Sequence, residues 1–386
     1  MDIILYTKLL SDKSFFDLNK LHYKYPDVDI KNFIDILKTT AYQTLPLYDF
    51  DGNNIVYLDS LLKVKMNSVK ILLKPQNYSL NLKSLENEIS ATLSIENIDF
   101  SRDSVRKILK GYAPDNRSEE HIYGMKKGLE FISDINNTIN ENSLFKLYNI
   151  AIGNYLDDDN KFPLGCKYRN DTVYIMGSKV EHIGLNHKKL PDYMKNLIEF
   201  INDKSDTNEL IKAAIIHFYF AYLHPYFDGN GRMARLVQLW YLVQNGYSAA
   251  LFIPFSEYIN KSREKYYKAY TLIEKNYVIS NVIDVTPFVS YFIKNVYNKL
   301  EITENINEWN EKFSSLLNQG KITEKEKNLW NYVLSAYGKN EFSTKQLEKD
   351  YRDAAYATIR SFVLKFTDYR LFECRKYGNR NKYHIK

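Results

Sequence analysis

In the stretch SLENEISATLSIENI, Leu85, Ile89, Leu93 and Ile95 recur at helical spacing, which predicts a helix with one buried face. The pattern breaks at the polar run from Pro114 to Ser118, and a second long helix is expected from about Glu120 to Ser133. Residues 143–155 read as another helix. DDDNKFPLGCKYRN, with Pro163 and Gly165, is a loop by composition. It leads into DTVYIMGSKVEHIGL, where β-branched and aromatic residues flank MGSK and predict a hairpin. Helices resume at Tyr193 to Ile201, Thr207 to Leu223 and Gly231 to Gln244, the last stopping at Asn245-Gly246. NKSREKYYKAYTLIEKNY and the segment from Thr286 to Glu304 complete a helical domain.

The first hundred residues mix short apolar segments with turn signals. YDFDGNNIVYL has the look of a calcium loop, through Asp49, Asp51 and Asn53, but Asn54 stands where the glycine belongs and Ser60 where the bidentate glutamate belongs. It reads as strand-turn-strand. At the other end of the chain, Thr323 and Glu326 are spaced as a capping box for a helix reaching about Ala336. STKQLEKD and AAYATIRSFVLKF predict two more helices, and YRLFECRKYGNRNKYHIK a hairpin turning at Gly378-Asn379. Three helices and a basic hairpin over residues 320–386 resemble a winged-helix domain.

Charge separates this tail from the rest. Of 53 Lys/Arg and 47 Asp/Glu, the segment 321–386 holds 15 and 8, leaving 38 against 39 elsewhere. The tail is therefore a candidate surface for DNA or RNA, with a protein-docking or dimerisation module as the alternative and a homodimer left open. The two cysteines, Cys166 and Cys374, lie far apart and support neither a disulfide framework nor a zinc site, so a reducing cytoplasm is the expected compartment. The start MDIILYTKLLSDKSFF is broken by Lys8 and carries no secretory signal, and no apolar run approaches the roughly 18 residues of a membrane span.

Candidate chemistry concentrates in HPYFDGNGRMAR, His224 to Arg235. Pro225 stops the helix that delivers His224. Gly229 and Gly231 let the backbone turn sharply and expose consecutive N–H groups, and the next helix begins with its positive end facing the same space. Arg232 and Arg235 lie three apart on that helix and can clamp phosphate oxygens. Asp228 offers one hard carboxylate, which suits Mg²⁺ held mainly by phosphates and water. His224 is the group suited to act as a general base. Taken alone, DGNG would be a helix-to-helix corner; the ordered set of His, Asp, Gly, Asn, Gly, Arg and Arg argues for an anion site.

These twelve residues resemble the signature of the Fic family, His-Pro-Phe-x-(Asp/Glu)-Gly-Asn-Gly-Arg-x-x-Arg, departing at Tyr226, where a phenylalanine is usual. AAIIHFYFAYLHPY is similar to the family's lead-in helix, and its His217 reads as structural. The resemblance implies a mainly α fold: a Fic-type helical bundle over residues 96–305 with a β-hairpin flap, an N-terminal region over residues 1–95 leading into an inhibitory helix, and the winged-helix-like tail over residues 320–386. It implies transfer of AMP from ATP, with Mg²⁺, to a Tyr, Ser or Thr hydroxyl of a target protein, the chain itself included. His224 would take the hydroxyl proton, Asp228 would hold Mg²⁺, and the Gly229-Asn230-Gly231 backbone together with the Asn230 side chain would cradle the phosphates. Arg232 would steady the leaving pyrophosphate, and Arg235 would hold the γ-phosphate. Gly231, a lysine in relatives that resemble kinases, favours AMP transfer over phosphorylation.

Two further matches extend the resemblance. The hairpin around Val173 to Val180, following YRND, looks like the family's flap, with Ile175, Met176 and Gly177 covering the nucleotide, and Tyr266 and Tyr267 resemble a double tyrosine lining the adenine pocket. TLSIEN, Thr92 to Asn97, fits the family's inhibitory pattern Ser/Thr-x-x-x-Glu-Gly/Asn, which implies that Glu96 pairs with Arg235 and occupies the γ-phosphate position. Three alternatives remain from the sequence: a nucleic-acid-binding regulator that senses ATP, a Fic enzyme using UTP or CTP, and one running de-AMPylation.

Overall fold

The structure is a computed structural model that describes residues 2–73, 82–157, 161–162, 165–176, 180–300, 306–337, 341–378 and 380–385. The chain divides into two compact units, Met1–Gln76 with Asn87–Leu300, and Asn77–Glu86 with Glu301–Lys386.

The first unit opens with three short helices, α1 (Ile3–Leu10), α2 (Leu18–Lys24) and α3 (Ile30–Thr40). Each starts at an aspartate, Asp2, Asp17 and Asp29, whose carboxylate accepts backbone N–H groups of the first turn. Apolar spacing alone shows this region only as mixed apolar segments, although an aspartate stands directly before an apolar residue three times. Their inner faces close a small core around Leu9, Leu21, Phe33 and Leu37. An antiparallel hairpin follows, β1 (Gln43–Tyr48) and β2 (Asn54–Tyr57). Its turn is organised by Asp49, which accepts the N–H groups of Asp51 and Asn53 through Oδ1, so the strand-turn-strand reading holds.

Next come α4 (Met66–Leu73), α5 (Leu82–Ile95), α6 (Arg102–Leu109), α7 (Arg117–Ser133) and α8 (Glu141–Ala151). Helices α7 and α8 cross at Gly124, where a Cβ would lie 2.3 Å from the carbonyl oxygen of Ala151. After the loop come β3 (Tyr174–Met176) and β4 (Val180–Ile183), paired antiparallel, and then α9 (Leu190–Asn202). Helices α10 (Glu209–Leu223) and α11 (Asn230–Gln244) are buried on nearly every face and form the centre of the unit. Around them pack α12 (Phe255–Lys261), α13 (Arg263–Ser280) and α14 (Thr286–Asn295). The segment read as helical from Thr286 to Glu304 is α-helical over Thr286–Asn295 and forms a 3₁₀ turn at Tyr297–Lys299; its last four residues lie outside the described residues. The N-terminal region is stitched to this end: Val56 exchanges backbone hydrogen bonds with Ile283 and Val285, and Leu58 N–H donates to Thr286 Oγ1 at 2.8 Å.

The second unit holds α15 (Ile306–Asn318), α16 (Glu324–Ala336), α17 (Thr344–Tyr351), α18 (Tyr356–Asp368) and the hairpin of β5 (Phe372–Tyr377) and β6 (Arg380–Ile385). The capping box at Thr323 and Glu326 is present, and the last three helices and the hairpin follow in the order read from sequence. Trp330, Phe342, Phe362, Phe366 and Phe372 fill its core. Within the hairpin's surroundings, Glu341 meets both Arg375 at 3.3 Å and Lys382 at 3.8 Å. Among the described residues no helix is long and apolar enough to cross a membrane.

Candidate functional site

The site lies where α10 hands over to α11. Helix α10 ends at Leu223, and His224 takes the left-handed conformation at φ 52°, unusual for a residue with a side chain. The chain then turns through Pro225–Asp228 to Gly229, at φ 81°, which starts α11. A Cβ on Gly229 would come within 2.6 Å of Ile152 Cδ1, so both its conformation and its surroundings require glycine. The turn is locked from inside. Asn230 is buried, its Oδ1 accepting the Tyr226 N–H at 2.9 Å and its Nδ2 donating to the Tyr226 carbonyl at 2.8 Å. The Tyr226 ring stacks on Tyr148 with centroids 3.9 Å apart, within the core, so the phenylalanine replacement is accommodated as packing.

His224 Nδ1 donates to the Ala221 carbonyl at 3.3 Å, which leaves Nε2 as the acceptor. Burial pushes its pKa down to about 4, the Ala221 bond opposing, so the ring is neutral at pH 7. His224 and Gly231 line a cavity of about 220 Å³ together with Glu96. Its other walls include Phe218, Tyr222, Tyr266, Tyr267 and Tyr270. The two tyrosines singled out from sequence therefore both face this space. His217, two turns before His224, is fully enclosed: Nδ1 meets Gln238 Oε1 at 2.6 Å and Nε2 meets Tyr266 Oη at 2.9 Å. Burial holds its pKa down to about 3, so it is a neutral core histidine that fixes the Tyr266 hydroxyl.

Asp228 is half exposed, and its Oδ2 accepts from Arg232 Nη2 at 3.0 Å. Arg232 is otherwise buried, with Nε and Nη1 lacking any hydrogen-bond partner. Arg235 Nη1 is likewise unpartnered. Buried guanidinium N–H groups without acceptors are costly, so these three donors mark places where an anion is expected.

Part of that demand is met by α5. Arg235 donates through Nε to Thr92 Oγ1 at 2.7 Å and through Nη2 to Glu96 Oε1 at 2.5 Å. Burial works against the Arg235 charge, but the adjacent Glu96 carboxylate outweighs it and raises the guanidinium above its ordinary value. The Glu96 carboxylate sits over the start of α11: a Cβ on Gly231 would lie 2.4 Å from Glu96 Oε1. Asn97, next in the chain, adopts φ 55°, and the N–H of Ile98 returns to the Leu93 carbonyl. That left-handed cap explains why Gly or Asn belongs at this place in the pattern. The end of α5 is held from α13, by Arg263 on the Ser94 carbonyl and Asn97 Oδ1, and by the Tyr267 hydroxyl on the Ile95 carbonyl at 3.2 Å.

The hairpin β3–β4 pairs with no third strand among the described residues. Ile175 and Met176 lie on β3; Gly177 falls outside the described residues. Two side chains of this region escaped the sequence reading. His182, on β4, places Nε2 2.9 Å from the Tyr222 carbonyl and Nδ1 2.7 Å from Glu274 Oε1. Arg169, in YRND, is 2% exposed and donates to the carbonyls of His224 at 2.7 Å, Asp171 at 2.5 Å and Leu185. Its only sequence signal was an arginine just ahead of a predicted hairpin.

Residues 138–242 match the Fic/DOC family. They form a Fic/DOC family domain. It takes in the hairpin and α9 to α11, while Thr92, Glu96, Tyr266 and Tyr267 lie outside the matched residues. Among curated proteins, the chain is 24% identical over 248 residues to protein adenylyltransferase fic-1 of Caenorhabditis elegans, covering 61% of this chain and 44% of that protein. It is 27% identical over 212 residues to protein adenylyltransferase Fic of Drosophila ananassae, covering 52% of this chain and 38% of that one. The chain thus spans less than half the length of these relatives. Among solved structures, a Fic family protein from Desulfovibrio desulfuricans G20 superposes with a TM-score of 0.50 at 19% identity, over 83% of this chain and 95% of that chain. The Fic-type helical fold is therefore shared.

Proposed function

We propose that the first unit is a protein adenylyltransferase that moves AMP from ATP to a hydroxyl side chain of a target protein, itself included, and that Glu96 restrains it. The observation that carries this reading is the coincidence, within one turn, of an imidazole acceptor, an open helix N-terminus and three unpartnered guanidinium N–H groups. In the reaction, neutral His224 takes the target hydroxyl's proton at Nε2 as that oxygen bonds to the α-phosphorus. The bond from the α-phosphorus to its bridging oxygen breaks, and pyrophosphate leaves. Arg232 and Arg235 offer their free N–H groups to the phosphate oxygens, and the Gly229–Gly231 backbone supplies the helix N-terminus. Asn230 serves by closing the turn through its two bonds to Tyr226. The aromatic wall with Tyr266 and Tyr267 suits a purine ring, and the hairpin's open edge at β3 suits an extended target segment.

The residues fit a magnesium nucleotide, because a single half-exposed carboxylate, Asp228, stands beside unpartnered guanidinium donors, and magnesium needs only one or two protein ligands when phosphates supply the rest. When bound, the ion neutralises phosphate charge and orients the leaving group. Glu96 lies on Arg235 and over Gly231, in space a terminal phosphate needs, so restraint follows from occupancy.

The test is incubation of Glu96→Gly and Glu96→Gly/His224→Ala proteins with Mg·ATP, UTP and CTP, followed by mass spectrometry. AMP adducts are expected with the first and none with the second. If Glu96→Gly labels nothing, itself included, the reading is sunk; a UMP or CMP adduct would change the donor. Regulation by nucleic acid through residues 320–386 is the weaker reading, because Glu341 already engages Arg375 and Lys382. A gel shift of the full chain at low salt tests it.

A further inference from the structure

A helix leaves its last carbonyls unpaired and its C-terminus partially negative. In α10 those carbonyls are taken one after another. Phe220 accepts the His224 N–H at 3.2 Å, and Ala221 accepts His224 Nδ1–H. Tyr222 accepts His182 Nε2–H, while Leu223 and His224 both accept from Arg169, at 3.5 and 2.7 Å. One step on, the Pro225 carbonyl accepts the Arg169 backbone N–H at 3.0 Å. Arg169 thus straddles the left-handed turn at His224, a conformation that is strained for a non-glycine residue and needs holding.

The remaining arms of the same guanidinium reach Asp171, just before β3, and Leu185, just after β4. Room for this is built in, since a Cβ on Gly184 would lie 2.7 Å from Arg169 Nη2. Burial lowers the Arg169 pKa to about 10, so the charge persists at neutral pH. Its side-chain hydrogen bonds to the described residues go to carbonyl oxygens, and only a fork of separated donors can serve carbonyls in so many directions; a lysine ammonium cannot.

We propose that Arg169 is a positioning residue which ties both feet of the β3–β4 hairpin to the backbone of His224, so that seating of the hairpin and aim of the imidazole are one event. Whatever docks on the hairpin edge thereby sets the base that acts on it. Arg169 itself hydrogen-bonds to none of residues 229–235 or α13; β4 meets α13 separately, through His182 and Glu274.

The activity arm of the test rests on the AMP-transfer reading; the exchange arm does not. In a Glu96→Gly background, Arg169→Gln is expected to lower kcat for AMP transfer by about 100-fold, the scale of a 1 Å misplacement. Affinity for Mg·ATP, read by calorimetry, stays within about threefold. By hydrogen exchange, peptides covering 173–185 and 221–226 speed up together, while those in 231–244 do not. A kcat within threefold of the parent overturns the proposal, as does ATP affinity falling in step with kcat, or hairpin exchange rising without the 221–226 peptide. If the Glu96→Gly parent transfers nothing, the AMP-transfer reading has failed and the exchange pattern alone decides on Arg169. Should Arg169→Gln not fold, Arg169→Lys, which keeps the charge on one donor, is read against the same criteria.

Discussion

Arg235 and Glu96 form an ion pair, Nη2 to Oε1 at 2.5 Å, between the buried arginine in the middle of the central helix α11 and the partly exposed residue that follows α5. Thr92, one turn earlier, accepts from the same guanidinium through Oγ1. The spacing of four residues places both acceptors on one helix face, so α5 grips the arginine at two points. Because the guanidinium is buried, removing the carboxylate leaves a charge that calls for another anion.

Glu96→Gly should therefore free Arg235 for an incoming anion and vacate the space over Gly231. AMP incorporation into protein is expected to rise by at least about tenfold, since one charged hydrogen bond is worth about 1.5–3 kcal/mol. Radiolabelled ATP measures it; equal labelling of the unmodified and Glu96→Gly chains would remove Glu96 as a restraint.

Thr92→Val removes the second grip and leaves the first. Arg235 then keeps its carboxylate partner but loses the Oγ1 acceptor, so release is partial, a few-fold in the same assay and below that of Glu96→Gly. Labelling above the Glu96→Gly level would reverse the order of importance given to the two contacts.

Gly229→Ala is a test of the turn. The substitution must adopt φ 81° and place a methyl against Ile152, which should cost about 1–3 kcal/mol of stability. Thermal unfolding followed by circular dichroism measures this, and combining it with Ile152→Val should restore part of the loss. No restoration would mean that backbone strain, and not the contact, dominates.

The buried histidines set a pH dependence. His224 and His217 have folded pKa values pushed down to about 4 and about 3, against an ordinary 6.5. The unfolded chain binds these protons first, so stability is complete above about pH 6.5 and declines as pH falls toward 3. Urea midpoints between pH 7.5 and 4.5 check the sign; His217→Asn should flatten the slope. Transfer by Glu96→Gly protein should stay level from pH 8 to 6 as far as His224 is concerned. A midpoint near 6.5 that vanishes with no other group would show that His224 is not held neutral by its burial.

Local signals carried much of the architecture. Helix limits near Ser133, Leu223, Gln244 and Ala336 were legible because caps, breakers and apolar period act over a few residues. The capping box at Thr323 and the hairpin turning at Gly378 are of the same kind. The early helices were legible too, through Asp2, Asp17 and Asp29, but their short apolar stripes lie below what periodicity alone resolves. The break after Asn295 was not, because Val296 and Tyr297 continue an apolar pattern while turning out of the helix.

The sequence by itself determined the candidate set: the order His224, Asp228, Gly229, Asn230, Gly231, Arg232, Arg235 is a local property, set by a helix end, a glycine turn and a helix start. It also placed Thr92 and Glu96 on one face. Tertiary structure alone decided that this face meets Arg235, across more than 130 residues of chain, and that Asn230 turns inward to Tyr226. It alone assigned Arg169 and His182 to the end of α10. The reason is physical: such partners are chosen by unpaired buried carbonyls and guanidinium groups, and a buried hydrogen-bond demand has no sequence spacing.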